Sequence, residues 1–138
     1  MATATISAKP PVWYWVVSIA GLLFTLFGVF SLFGAITHQD QIEHDWGSKP
    51  SAIYWVEFSV GVIAEVIGVA GLLTRKAWAV PAFAVSLAFT ILYAVYIISK
   101  TPTASQVVFT TAAIVLPHAI LLGFAFFSRA RGWFGHGA

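Results

Sequence analysis

Apolar residues run along the chain in long, nearly unbroken stretches that are separated by short polar segments. Four of these stretches reach the roughly 20 residues that a helix needs to cross the hydrocarbon core of a bilayer. They cover residues 13–35, 53–74, 78–99 and 106–128. A helix satisfies its own backbone polar groups in lipid, where no water is available. The pattern therefore predicts an all-α fold, in which residues 1–138 form one domain with four transmembrane helices in an antiparallel bundle.

The composition removes the alternatives to a membrane protein. Of the 138 residues, 59% are hydrophobic and only 9% are charged, whereas a soluble domain carries about 25% charged residues. No basic stripe is present that could meet a phosphate backbone, so no nucleic-acid partner is expected. The chain has no cysteine, which excludes disulfides and thiolate metal sites. The expected surroundings are a lipid bilayer.

The basic residues predict the orientation of the four spans. Five of the seven fall on one side of the predicted membrane, namely Lys9, Arg75, Lys76, Arg129 and Arg131. Because lysine and arginine accumulate on the cytoplasmic side of membrane proteins, both termini and the central turn are expected in the cytoplasm. All six tryptophans lie near span ends or in a loop, as is typical of an interfacial belt.

Small residues recur at helical spacing in the first two spans. They are Gly21 and Gly28 in the first span, and Gly61, Ala64, Gly68 and Gly71 in the second. Small side chains let two helix backbones approach closely, which favours association in lipid. We interpret the stripes as the tight core of a bundle in which these two spans pack together. A homodimer interface is the alternative interpretation.

Two glutamates, Glu57 and Glu65, lie inside the second apolar stretch. They are about 12 Å apart along a helix axis at 1.5 Å per residue, and both can border one interior face. A charged carboxylate at this depth is costly, so such groups usually face the bundle and find a partner. Glu65 is therefore either a protonated group that holds helices together or a group that handles protons or a ligand. Glu57 is the candidate outer relay.

The fourth span offers a candidate partner for Glu65, because Pro117 and His118 fall near its midpoint. The second and fourth spans run in the same direction, which places Glu65 and His118 at similar depth, where they could share a proton. Thr90, Tyr93 and Tyr96 of the third span could extend this polar track outward. The alternative is a core histidine that donates a hydrogen bond to a neighbouring carbonyl. Proline at 117 is expected to kink the helix.

Metal binding, haem binding and catalysis have weaker candidate residues in this sequence. The first loop contains His38, Asp40 and His44, whose nitrogen and oxygen atoms could bind a divalent ion such as zinc; a solvated polar loop is the alternative. A bis-histidine haem needs two histidines in the same space, and His118 is the only histidine within a span. No cofactor is therefore expected. No nucleophile–base pair, phosphate-binding loop or metalloprotease motif is present, so the chain is not expected to be an enzyme.

Three segments resemble a group of small bacterial four-span membrane proteins that are DoxX-like in size and layout. They are WYWVV at the start of the first span, RKAWAVPAFAVSL at the start of the third, and SRARGWF at the end of the fourth. Many members of this group are labelled sugar transporters. The resemblance implies a place in the bacterial cytoplasmic membrane, and it brings no catalytic motif to carry over. Small multidrug transporters also have four spans, but they keep their essential glutamate in the first span, where this chain has none.

Two functions remain open from the sequence. One is a proton-linked transporter or permease-like protein of small solutes, which would use the Glu65–His118 pair and would need to be a homodimer to enclose a pathway. The other is a non-catalytic accessory subunit of a larger membrane complex. The sequence leaves the identity of a small-molecule ligand open.

Overall fold

The structure, a computed structural model, describes residues 8–135. Within this range the chain is helical and has no strand. The helices are α1 (Val12–Thr37), α2 (Gln39–Trp46), α3 (Ala52–Leu73), α4 (Ala79–Lys100), α5 (Ala104–Phe109) and α6 (Leu116–Ala130), with a π-helical segment at Thr110–Val115. Helices α5 and α6 and the π-helical segment form one continuous apolar span, Ala104–Ala130, which we call the fourth span. The predicted all-α fold with four membrane-spanning helices is confirmed.

Helix α2 lies in the connection between α1 and α3, where the sequence predicted only a polar loop. It ends at Trp46 and is followed by Gly47, whose φ of 68° is the left-handed conformation that glycine adopts without strain. We call this end of the bundle the α2 end. The opposite end, which carries both ends of the described chain and the turn between α3 and α4, is called the termini end.

The four spans form a ring in which neighbouring helices are antiparallel. Helix α1 packs against α3, α3 against α4, and α4 against the fourth span. Aromatic contacts close the ring between α1 and α6, with Trp13 beside Phe124 and Phe24 beside His118. Helices α3 and α6 therefore lie diagonally across the bundle and run in the same direction.

The closest helix pair is α3 and α4, while the first two spans, α1 and α3, also pack together but less closely. A Cβ atom added to Gly68 would lie 2.7 Å from the Phe83 ring, and one added to Gly71 would lie 3.0 Å from the backbone nitrogen of Ala79. The Ser86 hydroxyl donates to the carbonyl of Gly61 at 3.0 Å. The glycine spacing identifies a face that permits close approach, but it does not identify the helix that uses this face.

The other small residues of the two stripes, Gly21, Gly28 and Ala64, face different neighbours. A Cβ on Gly21 would lie 3.0 Å from Leu121 of α6, whereas one on Gly28 would make an ordinary 3.9 Å contact with Val62. Ala64 is buried on α3. These positions serve different neighbours, so they do not form one continuous interface between two helices.

The apolar core lies at the termini end. It contains Tyr14, Leu72, Phe83, Leu121 and Trp133, and the Tyr14 hydroxyl donates to the Leu72 carbonyl at 2.6 Å. These large side chains fill the bundle interior on this side. The half of the bundle toward the α2 end is less completely filled.

Arg75 joins three segments at the termini end. Its backbone is left-handed, with φ of 56°, which turns the chain sharply between α3 and α4. The guanidinium donates through Nε to the Trp133 carbonyl at 2.7 Å and through Nη2 to the Ala8 carbonyl at 3.0 Å. The Arg75 carbonyl accepts from the backbone N–H of Gly135 at 2.7 Å. The start and the end of the described chain are thus held against the α3–α4 turn.

Candidate functional site

A cavity of about 330 Å³ lies in the half of the bundle toward the α2 end. All four spans contribute to its walls, which are largely aromatic: Phe24, Phe27, Phe58, Tyr93 and Phe109. The volume falls at the lower end of the range, about 300–1,000 Å³, that small-molecule sites occupy. A mostly apolar cavity with a few polar groups is the usual composition of such a site.

The cavity opens sideways between α1 and the fourth span. Phe27 and Ser31 of α1 line it and are themselves exposed on the outside of the bundle. Phe109 and Ala113 of the fourth span do the same on the facing side. These four residues form the mouth of the cavity, which faces the surroundings that lipid would occupy around a membrane-spanning bundle.

Glu65 and His118 meet at the deep end of the cavity, and both line it. The Oε2 atom of Glu65 lies 2.9 Å from Nε2 of His118. The two residues are only 2% and 8% exposed. The contact forms because α3 and α6 are diagonal and parallel, so that residues near the middle of each helix reach the same depth.

A second contact fixes the orientation of the His118 ring. Its Nδ1 atom lies 2.6 Å from the carbonyl oxygen of Ile114. A carbonyl can only accept, so Nδ1 carries a hydrogen and Nε2 faces Glu65. One proton then lies between Nε2 and Oε2, whether it is formally on the carboxyl group or on the ring. His118 therefore makes both of the contacts that the sequence left as alternatives.

Two carboxylate oxygens in this half of the bundle have no hydrogen-bond partner among the described residues. They are Oε1 of Glu65 and Oε2 of Glu57, and both are shielded from solvent. Buried polar atoms are almost always hydrogen-bonded, and both side chains line the cavity. The cavity is thus the side from which a proton donor or a cation can reach these oxygens.

The structure places the predicted polar track only in part. Thr90 and Tyr93 line the cavity with the two glutamates. Tyr96 does not line it, and its hydroxyl instead accepts a hydrogen bond from the backbone N–H of Ser51 at 3.1 Å. The track therefore ends at Glu57 and Tyr93.

The loop residues considered for metal binding do not converge. His38 Nδ1 lies 3.0 Å from the Gly34 carbonyl, and His44 Nδ1 lies 3.4 Å from its neighbour Asp45. Asp40 lies in the first turn of α2. Within residues 8–135, no group of three potential ligands comes together. His38 precedes α2, and Asp40 and His44 lie along this short exposed helix, so the three candidate ligands do not come together.

Sequence reasoning missed the π-helical segment at Thr110–Val115, where the N–H of Leu116 donates to the carbonyl of Thr111, five residues earlier. Such segments are rare and are often found at functional sites. Here the segment ends two residues before Pro117, and it supplies Ala113 and Ile114 to the cavity wall. Pro117 was the available signal, since it marks a departure from regular helical hydrogen bonding, but proline alone predicts only a kink.

No family model matches this chain, and neither a curated protein nor a solved structure is significantly similar to it. The resemblance to DoxX-like proteins remains a prediction.

Proposed function

We propose that this protein is a small, proton-linked membrane carrier that binds a small solute in the cavity and exchanges a proton through the Glu65–His118 pair. The observation that carries the proposal is the 2.9 Å contact between the two residues at the deep end of a cavity about 330 Å³ in volume. A pair that holds one proton between two basic atoms can respond to a solute by taking up or releasing that proton.

The surroundings of the pair support a role beyond holding helices together. Phe24 of α1 packs against the His118 ring with a centroid distance of 5.2 Å, and Thr90 of α4 lines the same cavity. Phe24 and Thr90 are uncharged, so neither can neutralise the carboxylate of Glu65. A pair that served only to join α3 and α6 would not require an adjoining cavity or leave the second carboxylate oxygen without a partner.

The asymmetry of the bundle supports transport rather than simple binding. The termini end is filled by the core around Tyr14, Leu72 and Phe83, whereas the α2 half holds the cavity. The cavity is thus closed toward the termini end and opens sideways between α1 and the fourth span, and a site closed toward one side of the membrane is expected of one state in alternating access. Release toward the termini end would require the core to rearrange, which a second copy of the chain could assist.

Solute-dependent proton movement in proteoliposomes tests this proposal. A pH-sensitive dye inside the vesicles reports proton flux while small solutes of different classes, including sugars, amines and carboxylic acids, are added outside. We expect at least one class to drive proton movement with the wild-type protein. The Glu65→Gln variant should lose it, and Glu43→Gln, which changes an exposed carboxylate on α2, should retain it. Equal flux in wild type and Glu65→Gln would rule out the pair as the coupling site.

A second candidate function is an accessory subunit of a larger membrane complex, and the exposure of α1 favours it. Only 17% of the most apolar 18-residue stretch of α1 is buried, slightly less than the 22% of α4 and of the fourth span and far less than the 50% of α3. A partner helix or a second copy could cover this surface, which includes Phe30 and Phe33. Gentle extraction followed by native mass spectrometry distinguishes the two: stoichiometric recovery with other chains would favour the accessory role, and a homodimer would favour the carrier.

We propose a bacterial cytoplasmic membrane as the location, with both termini in the cytoplasm. Support comes from Lys9, Arg75, Lys76 and Arg129, which belong to segments at the termini end. Single cysteines tested with a membrane-impermeant thiol reagent would check this, since the chain has no native cysteine. A cysteine at Gln41 should react from outside intact cells, and one at Arg131 should not.

A further inference from the structure

Glu57 lines the cavity but, unlike Glu65, has no ion-pair partner there among residues 8–135. Its side chain is 7% exposed, and its Oε2 atom has no hydrogen-bond partner among the described residues. An ionised carboxylate in apolar surroundings is strongly unfavourable unless it is paired. Glu57 therefore has to be satisfied by a proton or by a positive charge.

The protein does not provide that positive charge within the cavity. Among the described residues that line the cavity there is no lysine or arginine. The only basic side chain in the lining is His118, whose Nε2 atom is already in contact with Glu65. A cation that neutralises Glu57 must consequently enter from outside the protein.

Aromatic rings next to Glu57 suit the remainder of such a ligand. Phe58 and Tyr93 both line the cavity, and their ring centroids are 4.6 Å apart. Tyr54 packs against Tyr93 at 5.5 Å and extends this group on the same face of α3. The faces of such rings attract organic cations, most strongly where water is excluded.

A bare metal ion does not suit this site. Hard cations such as calcium take six or more oxygen ligands, whereas the cavity lining is dominated by phenylalanine and aliphatic side chains and, among the described residues, has hydroxyl groups only on Ser31, Thr90 and Tyr93. No group of three potential metal ligands occurs in residues 8–135. An organic cation needs fewer oxygen ligands, because its apolar substituents are solvated by the aromatic walls.

We propose that the cavity binds an organic cation, a quaternary or protonated amine with apolar substituents, whose charged group lies against Glu57. The ligand reaches the cavity from the bilayer through the mouth formed by Phe27, Ser31, Phe109 and Ala113. This inference rests on the proposed function in that it names the class of solute, but it depends on Glu57 rather than on the Glu65–His118 pair.

Equilibrium dialysis of radiolabelled benzyltrimethylammonium against the full chain in lipid nanodiscs tests the inference, with empty nanodiscs as background. We expect saturable binding to the wild type. Glu57→Gln removes the charge while keeping the size of the side chain, and it should weaken binding about tenfold or more, as expected from loss of a charge-assisted contact. Glu43→Gln makes the same chemical change on exposed α2 and should bind like the wild type.

Competition on the wild-type protein gives an answer even if Glu57→Gln does not fold. Neopentylbenzene has the shape of benzyltrimethylammonium without its charge, so it should displace the labelled cation about tenfold less effectively or worse. Glu57→Asp, which keeps the charge on a shorter side chain, should retain part of the binding. Absence of saturable binding, equal potency of the neutral compound, or unchanged binding by a folded Glu57→Gln variant would each overturn the inference.

The experiments can reject the proton-linked carrier and the organic-cation ligand independently of each other. Cation binding that depends on Glu57, together with no solute-dependent proton flux in proteoliposomes, would keep the ligand class and reject the carrier. Flux driven by a neutral or anionic solute and lost in Glu65→Gln would keep the carrier and reject the organic cation.

Discussion

The ring nitrogen Nδ1 of His118 and the carbonyl oxygen of Ile114 are 2.6 Å apart, within one turn of the fourth span. Because the carbonyl only accepts, this contact requires a hydrogen on Nδ1 and leaves Nε2 for Glu65. We predict that nitrogen-15 NMR of the histidine-labelled protein in bilayers shows a protonated Nδ1 at His118. The resonance can be assigned by its loss in His118→Gln, since the chain has only four histidines.

The Glu65→Gln variant provides the matched comparison for that spectrum. The Nδ1 contact is made within the fourth span, so the Nδ1 resonance should stay in the protonated range while the Nε2 resonance shifts. A non-protonated Nδ1 in the wild type would contradict the assignment of the shared proton to the Nε2–Oε2 contact.

Close packing of α3 on α4 predicts a large effect of a single methyl group at Gly68. The Cβ of alanine would lie 2.7 Å from the Phe83 ring, and this ring is 1% exposed and has little room to move. Overpacking of this kind costs about 1–3 kcal/mol. Gly68→Ala should lower the free energy of unfolding by about that amount in denaturant titrations in mixed micelles.

Gly123→Ala is the control for this prediction, because an added Cβ there would meet nothing within 4 Å. It makes the same change within α6 and should leave the unfolding free energy unchanged or slightly raised, as expected from the better helix propensity of alanine. Equal stability of the two variants would mean that the α3–α4 contact is looser than described.

The mouth of the cavity predicts a contrast between two adjacent alanines of the π-helical segment. Ala113 lines the cavity, whereas Ala112 does not. A phenylalanine at 113 would narrow the space between α1 and the fourth span, so Ala113→Phe should reduce binding of benzyltrimethylammonium about tenfold or more, the factor that about 1.4 kcal/mol represents.

Ala112→Phe adds the same volume at an exposed position of the same segment and should bind like the wild type. A similar loss in both variants would indicate that the π-helical segment itself was disturbed, which thermal unfolding of the two proteins would detect. Unchanged binding in Ala113→Phe would exclude this side of the bundle as the entry.

Much of the architecture was predictable because the bilayer imposes a length and an apolar composition on each span. The four spans, their antiparallel order and the similar depth of Glu65 and His118 follow from those constraints. Their similar depth in the membrane was enough to suggest a contact between Glu65 and His118, since both residues lie near the middle of parallel helices. Their actual contact also required the order of the helices around the ring, which apolar patterns do not contain.

The sequence did not predict the features that depend on which helix faces pack against each other. The glycines of α3 could have served α1 or α4, and only the position of Phe83 and Ala79 decides between them. The cavity was also hidden, because it arises where side chains fail to fill space rather than from a motif. The π-helical segment changes the register of the fourth span by local hydrogen bonding, and Pro117 gave only an indirect sign of it.

The contacts of Arg75 predict that one side chain stabilises the whole termini end. Its guanidinium reaches the carbonyls of Trp133 and Ala8, which belong to segments far apart in the sequence. Hydrogen bonds from charged groups contribute about 1.5–3 kcal/mol each when well shielded, and less where they are exposed. Arg75→Gln should therefore lower the unfolding free energy by about 1–3 kcal/mol and make the segment after α6 more sensitive to limited proteolysis. Lys76→Gln removes the same charge from the next residue of the turn and should do neither, so that an equal effect of both variants would point to lost surface charge rather than to these contacts.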